Sequence, residues 1–558
     1  MSPTEPSPSF EVECLDCGRR GPYHPLRPAC PVCGSLWLEA RYDMEAARRA
    51  LTSMTEASRR DLWRYAPLLP LSEVPPGVPM GEGWSPLLQA DNLGLLLGLP
   101  HLFIKDERRG PTASFKDRQA AVTTAVLRQA GVREAVVAST GNVALAYSAY
   151  CARLGIQLWA FLTSRVPAAK MHEVALYGTQ VVKVTSTYDQ AKELAAEFAA
   201  RHGYYFDRST SSVASVESMK TIAFEIAQQL GEPSGDGSWR APDWYVQAVS
   251  GGLGPYGVLK GFRELHAMGL IDHLPRIAVI QVEGCNPMVR AWKADADVAE
   301  PLVPTTRIYT LSTGNPGRGY AHLRRRIQES AGGAFESVSD DEAIQAMHHL
   351  AKMEGLSAEP AAGVAFAGLI RLAHQGVIEP EETVVVNLSG HSMPVEEEAL
   401  REGWYRDLTS AAAPAEALEA PEDGLLAALA QLDQRVTREV LIVDDHPEAR
   451  RLLRRILNAH GEYEIGEAAS GREALAIVER RQPDLMILDL MMPGMDGFAV
   501  LDALRQQPST AAMPVVVVTA KELTPAEERR LQGRIRRLMT KGEFLGEDLL
   551  GEIDLALE

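Results

Sequence analysis

Three groups of residues in this 558-residue chain have types and spacings that could do chemistry. The first is sulfur. Cys14-Leu15-Asp16-Cys17 and Cys30-Pro31-Val32-Cys33 are two C-x2-C knuckles twelve residues apart, a spacing that lets two tight turns offer four thiolates to one tetrahedral zinc ion. Gly18 and Gly34 follow the second cysteine of each knuckle, where a small residue lets backbone amides turn toward sulfur. Four cysteines leave no open coordination position, so the site reads as structural. Reduced thiols in a loop are the bland alternative, but matched pairs rarely arise by chance. Cys151 and Cys285 stand alone in apolar contexts and read as small core residues.

The second group centres on a lysine. Ala113-Ser114-Phe115-Lys116-Asp117-Arg118 places Lys116 at the opening of a helix that runs to about Gln129. Desolvation and the positive end of the helix dipole both push such an amine's pKa down, which a Schiff-base lysine requires. Ser139-Thr140-Gly141-Asn142 follows a strand and opens a helix, so its hydroxyls, side-chain amide and free N–H groups suit a carboxylate. Ser250-Gly251-Gly252-Leu253-Gly254 repeats the arrangement, with glycines that let amides close on a phosphate. The third group is acidic. Asp444-Asp445 ends the strand Val440 to Val443, and Asp489 ends Leu485 to Leu488; neighbouring strands would bring these carboxylates together and demand a cation. Three solvated loop acids are the alternative, and Thr519 and Lys541, each near the end of a later strand, argue against it.

Positioning these groups requires an alternation of strands and helices, and the sequence supplies one. Glu134–Ala138, Gln157–Leu162, Gln180–Val184, Trp244–Val249 and Thr383–Leu388 read as buried strands with amphipathic segments between them, which predicts parallel sheets covered by helices. The length exceeds what one core holds. The expected division is a zinc ribbon over 1–45, a catalytic α/β domain over 46–395, an Ala/Glu/Pro-rich linker over 396–436 and a second α/β domain over 437–558. With 46% hydrophobic and 23% charged residues the chain is an ordinary globular one. A formal charge of -18 argues against nucleic acid and anionic membrane as partners. The absence of a long apolar run and of a basic-then-apolar leader predicts a cytoplasmic protein. The arginines Arg450, Arg451, Arg454 and Arg455, and those between Arg529 and Arg537, recur at helical spacing and read as solvated faces. His348, His349 and His391 lack companions at ligand spacing and receive no role.

In this order, the loops from about Cys14 to Met393 resemble the fold-type-II pyridoxal-phosphate enzymes, and within them the threonine synthases. The resemblance includes Gly81-Glu82-Gly83-Trp84-Ser85-Pro86-Leu87, Ser114 to Asp117, Lys220-Thr221-Ile222-Ala223-Phe224-Glu225, Glu359-Pro360-Ala361 and Leu388-Ser389-Gly390-His391. It implies a tryptophan-synthase-β-like fold in which Lys116 carries pyridoxal 5'-phosphate, Asn142 bonds the ring hydroxyl, Ser250 to Gly254 hold the phosphate and Ser389 faces the pyridine nitrogen. A hydroxyl there makes the ring a milder electron sink than a carboxylate would, suited to elimination and replacement. The substrate is then a small amino acid, its carboxylate held by Ser139 to Asn142, and the common assembly is a homodimer.

Residues 437–558 similarly match the flavodoxin-like, doubly wound receiver domain of bacterial response regulators. Asp445 to Asp489 is 44 residues, Asp489 to Thr519 is 30 and Asp489 to Lys541 is 52, all in that family's pattern. The match implies that Asp489 accepts a phosphoryl group from a sensor histidine kinase or another donor, that Asp444, Asp445 and Asp489 bind Mg2+, and that Thr519 and Lys541 contact the phosphoryl oxygens. Leu538 occupies the usual aromatic switch position and Gly542 that of the usual proline.

Departures from the first family bear on the substrate. Val143 follows Asn142 where threonine is common, and Ser215 stands where threonine synthases carry a phosphate-binding arginine. Losing a bidentate partner costs more than a neutral hydroxyl returns. The expected reaction is O-phosphohomoserine plus water to threonine plus phosphate. Elimination or β-replacement on another amino acid competes with it, as does a non-catalytic amino-acid-sensing module serving the receiver.

Overall fold

A computed structural model describes residues 10–54, 59–232, 237–391, 438–460, 463–521 and 523–540, with positions 553 and 555. The linker expected over 396–436, Lys541 and Gly542 lie outside the described residues. The chain divides into two compact units, one comprising residues 1–91 and 99–399, the other 92–98 and 400–558.

The first unit begins with the strands β1 (Glu11–Cys14), β2 (Arg20–Gly21) and β3 (Leu38–Arg41), an antiparallel sheet in the order β2-β1-β3. It continues with β4 (Leu87–Gln89), β5 (Leu102–Asp106), β6 (Glu134–Ser139), β7 (Gln157–Thr163), β8 (Gln180–Val184) and β9 (Tyr205–Phe206). Then come β10 (Trp244–Ala248), β11 (Arg276–Val282), β12 (Gly333–Val338) and β13 (Val384–Leu388). They form two sheets, β12-β11-β10-β13-β5-β4 and β8-β7-β6-β9, parallel except where β4 meets β5. All five strands read from the sequence are present. Missing from that reading were the short strands β4 and β9, and β5, β11 and β12, the last three with apolar runs interrupted by Lys105, Gln281 and Glu336. Each of those polar side chains is buried with partners, so the lost periodicity reflects internal hydrogen bonding rather than solvent.

Strands covered by helices on both faces are buried at every position, as β10 and β13 are, and carry mostly apolar residues. The Lys116–Gln129 helix is buried from Asp117 to Leu127, and two charged clusters fix it and its neighbours. In one, Arg118 binds Glu107 at 2.7 Å and Glu225 at 2.6 Å, while Lys105 reaches Glu225 at 2.8 Å. Glu225 also accepts the backbone N–H groups of Trp84 and Ser85. In the other, Lys220 and Lys260 interleave with Glu217 and Glu264, and Tyr42 donates its hydroxyl to Glu217 at 3.0 Å. Two cations against two carboxylates leave each cluster neutral, which is what permits burial.

The second unit holds β14 (Arg438–Val443), β15 (Tyr463–Ala468), β16 (Leu485–Leu488), β17 (Val515–Thr519) and β18 (Arg537–Thr540). All pairings are parallel, in the order β15-β14-β16-β17-β18. That is the flavodoxin-like order, and the strand order reverses between β14 and β16, where such sheets place their sites.

Candidate active site

The loops that the sequence singled out in the first unit converge on one pocket. It opens where β6, β10 and β13 end, and Lys116, Ser139, Thr140, Asn142, Ser250 to Gly254 and Ser389 all line it. Lys116 begins its helix with the ammonium 4.2 Å from the Phe115 ring. Desolvation outweighs the attraction of Asp207 and Glu359 and pushes its pKa down to about 8. An appreciable fraction of neutral amine is then present near pH 7, as a nucleophilic lysine needs.

Gly141 precedes the Asn142–Leu154 helix, and the Ser139 hydroxyl accepts the N–H groups of Gly141 and Ala144. The 250–254 loop opens the Leu253–Ala267 helix. Gly252 adopts φ +85°, and a Cβ on Gly254 would stand 2.4 Å from the Gln247 amide, so side chains here would close the cradle. A helix N-terminus beneath a glycine turn supplies free N–H groups of the kind that bind phosphate. These residues therefore fit the cofactor that the family resemblance implies.

Glu359 was quoted in a sequence motif without a role, and the structure gives it one. It is buried and accepts the Ser389 hydroxyl at 2.7 Å and the Asn142 amide at 2.6 Å, tying together two proposed cofactor contacts. Lys170 donates to the other side of Asn142 at 3.0 Å. Ser215 lies outside the pocket lining. It is fully buried and donates at 2.9 Å to Asp207, which also accepts from Gln119 at 3.1 Å, from Tyr147 and from the Ser209 N–H at 2.6 Å. Asp207, Gln119 and Lys192 line the pocket, but nothing in their sequence spacing marked them. The backbone N–H of His391 donates to the Ala113 carbonyl beside the Lys116 turn, and the residue does not line the pocket.

The profile described as "Pyridoxal-phosphate dependent enzyme" matches residues 78–390, more than half of the chain. The chain belongs to that family. It is 32% identical over 391 residues to a threonine synthase of Methanocaldococcus jannaschii, covering 70% of this chain and 94% of that protein. It is 33% identical over 385 residues to a threonine synthase of Methanosarcina acetivorans, covering 68% and 91%. Among solved structures, the processed form of threonine deaminase isoform 2 from Solanum lycopersicum aligns with TM-score 0.46 and 22% identity over 56% of this chain and 84% of that one. The profile "Response regulator receiver domain" matches residues 440–552, so the family's catalytic fold is joined here to a receiver domain.

Two further sites accompany the pocket. The four cysteine sulfurs cluster, with Cys14 and Cys33 3.6 Å apart and Cys17 and Cys30 likewise. A tetrahedral zinc with Zn–S near 2.3 Å separates its sulfurs by roughly 3.8 Å, so the shell fits that metal. The amides of Cys33 and Val32 pull the Cys30 thiol down to about 6, whereas at Cys33 the Ser35 amide is outweighed by desolvation and the neighbouring thiols, which push the thiol up. In the receiver unit, Asp444, Asp489 and Thr519 are buried at the ends of β14, β16 and β17. Ligand atoms of Asp444, Asp445 and His446 lie within 4.8 Å of one another; His446 was absent from the sequence reading, and Asp489 is not within that group. No helix among the described residues is long and apolar enough to cross a membrane.

Proposed function

We propose that the first unit is a threonine-synthase-type lyase, converting O-phosphohomoserine and water to threonine and phosphate, and that its receiver regulates it. The observation that carries the enzymatic reading is the Lys116 amine, lowered to about 8, in the same pocket as Asn142, the 250–254 loop and Ser389. Pyridoxal phosphate, held by those residues, supplies the electron sink for breaking bonds next to the amino-acid carbon. The chain's own residues do the rest. The Ser139 to Asn142 loop orients the substrate carboxylate at a helix N-terminus. Lys116 Nζ takes and returns the proton at the substrate α-carbon. Glu359 holds Ser389 and Asn142 in place.

The relatives' names support the O-phosphohomoserine assignment, while Ser215, turned inward onto Asp207, favours a second reading: elimination or β-replacement on another amino acid. A panel of O-phosphohomoserine, O-phosphoserine, serine and threonine decides between them. Phosphate and threonine formed from the first alone support the first reading; turnover of the others alone supports the second. Borohydride should fix the yellow cofactor to a peptide containing Lys116, and a colourless protein after cofactor addition would leave only the non-catalytic sensing role.

The same proposal assigns domains to 1–45, 46–395 and 437–558, phosphoryl transfer to Asp489 with Mg2+ on Asp444 and Asp445, and a homodimeric, cytoplasmic protein served by a phosphodonor kinase. Support comes from the buried carboxylates at the switch point of a 2-1-3-4-5 sheet. Phosphorylation would alter substrate affinity by about 1 to 3 kcal/mol, the usual scale of coupling between sites.

A further inference from the structure

The pocket contains a cation that forms no hydrogen bond or ion pair among the described residues. Lys192, on the Tyr188–His202 helix, lines the pocket together with Lys116. Among the described residues it makes no hydrogen bond and no ion pair, unlike the buried lysines 105, 220 and 260, each locked to carboxylates. Desolvation lowers its pKa despite the attraction of Asp189 and Asp207. Both carboxylates also accept other donors. Asp189 accepts the N–H groups of Gly314 at 3.0 Å and Asn315 at 3.2 Å, and Asp207 is held by the four donors already described.

The grip of Asp207 on the Ser209 N–H accompanies an unusual backbone. Ser209 has φ +55°, a left-handed conformation uncommon for serine, and it and Thr210 line the same pocket. Strain of this kind persists where surrounding contacts over-determine it, and it recurs at ligand clamps. An ammonium without a hydrogen-bond or ion-pair partner among the described residues and two hydroxyl-bearing residues thus line one pocket, and Ser215 does not line it. A phosphate ester suits such a lining, because an ammonium and hydroxyls can donate to its several oxygens.

We propose that Lys192 is the specificity residue for a phosphorylated side-chain terminus of the amino-acid substrate. The proposal rests on the catalytic reading above and moves the anion contact from position 215 to the Tyr188–His202 helix.

The test is a spectral binding titration of the holoenzyme with O-phosphohomoserine, O-phosphoserine, serine and threonine, for wild type, Lys192→Met and Lys192→Arg. Cofactor absorbance and melting temperature confirm that each variant is folded and loaded. Loss of a charge-assisted hydrogen bond should weaken both phosphorylated ligands by about 10- to 100-fold in Lys192→Met. Serine and threonine should shift less than about 3-fold, and Lys192→Arg should recover most of the loss. Inorganic phosphate should compete with O-phosphohomoserine in wild type and not in Lys192→Met. Equal loss for all four ligands, or none, overturns the proposal, as does a wild type that binds serine as well as O-phosphoserine. A wild type that binds phosphorylated ligands through Lys192 yet releases no threonine would overturn the catalytic assignment while leaving this one standing.

Discussion

Lys116 should make the protein less stable than it would be without it. Its amine has a pKa of about 8 in the folded protein against an ordinary 10.5. Below pH 8 the proton is bound in both states, and the folded state bears the full cost of a desolvated ammonium. Between pH 8 and 10.5 the unfolded chain holds the proton that the folded one has lost, so stability rises with pH across that window. Above it the cost is gone. At 1.36 kcal/mol per pH unit the shift corresponds to about 3 kcal/mol, and partial exposure together with the loss of the Phe115 cation contact reduces the expected gain to about 1 to 2 kcal/mol. Lys116→Met, an unbranched substitute of similar length, should therefore stabilise the cofactor-stripped catalytic unit by that amount at pH 7. The gain should fade toward zero by pH 10.5. Urea unfolding of stripped wild type and variant at pH 7, 8.5 and 10 measures it. A variant less stable than wild type at pH 7, or a gain independent of pH, would refute the argument that desolvation sets this amine.

Glu225→Gln should destabilise the catalytic unit by about 3 to 5 kcal/mol, because it leaves Lys105 and Arg118 buried with a single carboxylate between them. The Glu225 carboxyl sits near 2 against an ordinary 4.5, so its contribution is present above pH 4.5 and lost as pH falls through 2; acid denaturation profiles should separate wild type from variant above that range and converge below it. Glu359→Gln should weaken cofactor retention by about 10-fold on dialysis, since two charge-assisted hydrogen bonds are lost, and unchanged retention would remove Glu359 from the cofactor site. Metal analysis should find one zinc per chain, lost in Cys14→Ser with a lowered melting temperature; equal metal content in the variant would refute the ribbon. A small phosphodonor with Mg2+ should label wild type but not Asp489→Asn, read by phosphate-affinity electrophoresis, and labelling of the variant would move the acceptor elsewhere.

Much of this arrangement was legible because its chemistry is local. Cysteine knuckles, a lysine at a helix start and acids at strand ends are short patterns whose geometry follows from a few residues. The charged clusters were illegible for the opposite reason. Lys105 and Glu225 are 120 residues apart and look like solvent-facing charges until the fold buries both. Motif residues also proved ambiguous: Lys220 and Glu225 belong to a stretch that resembles the family, yet neither lines the pocket, and both hold helices in position. Lys192 had no signal because one lysine in an amphipathic helix is indistinguishable from a surface residue. The lack of a hydrogen-bond or ion-pair partner among the described residues, inside the pocket, is what sets it apart.

The docking of the ribbon carries a consequence for the order in which the protein is made. Glu39 pairs with Arg326, 287 positions later, and Tyr42 with Glu217, 175 positions later. At typical synthesis rates of about 5 to 20 residues per second, the ribbon leaves the ribosome roughly 15 to 60 s before Arg326 exists to receive it. Its four thiols can capture zinc in that interval, since the metal alone organises such a shell. The catalytic core, by contrast, needs the ribbon in hand before Lys260 and Arg326 can be buried without their carboxylate neighbour Glu39 missing. Zinc supply during translation would then govern how much of the enzyme matures, with metal scarcity felt as a folding defect far from the metal.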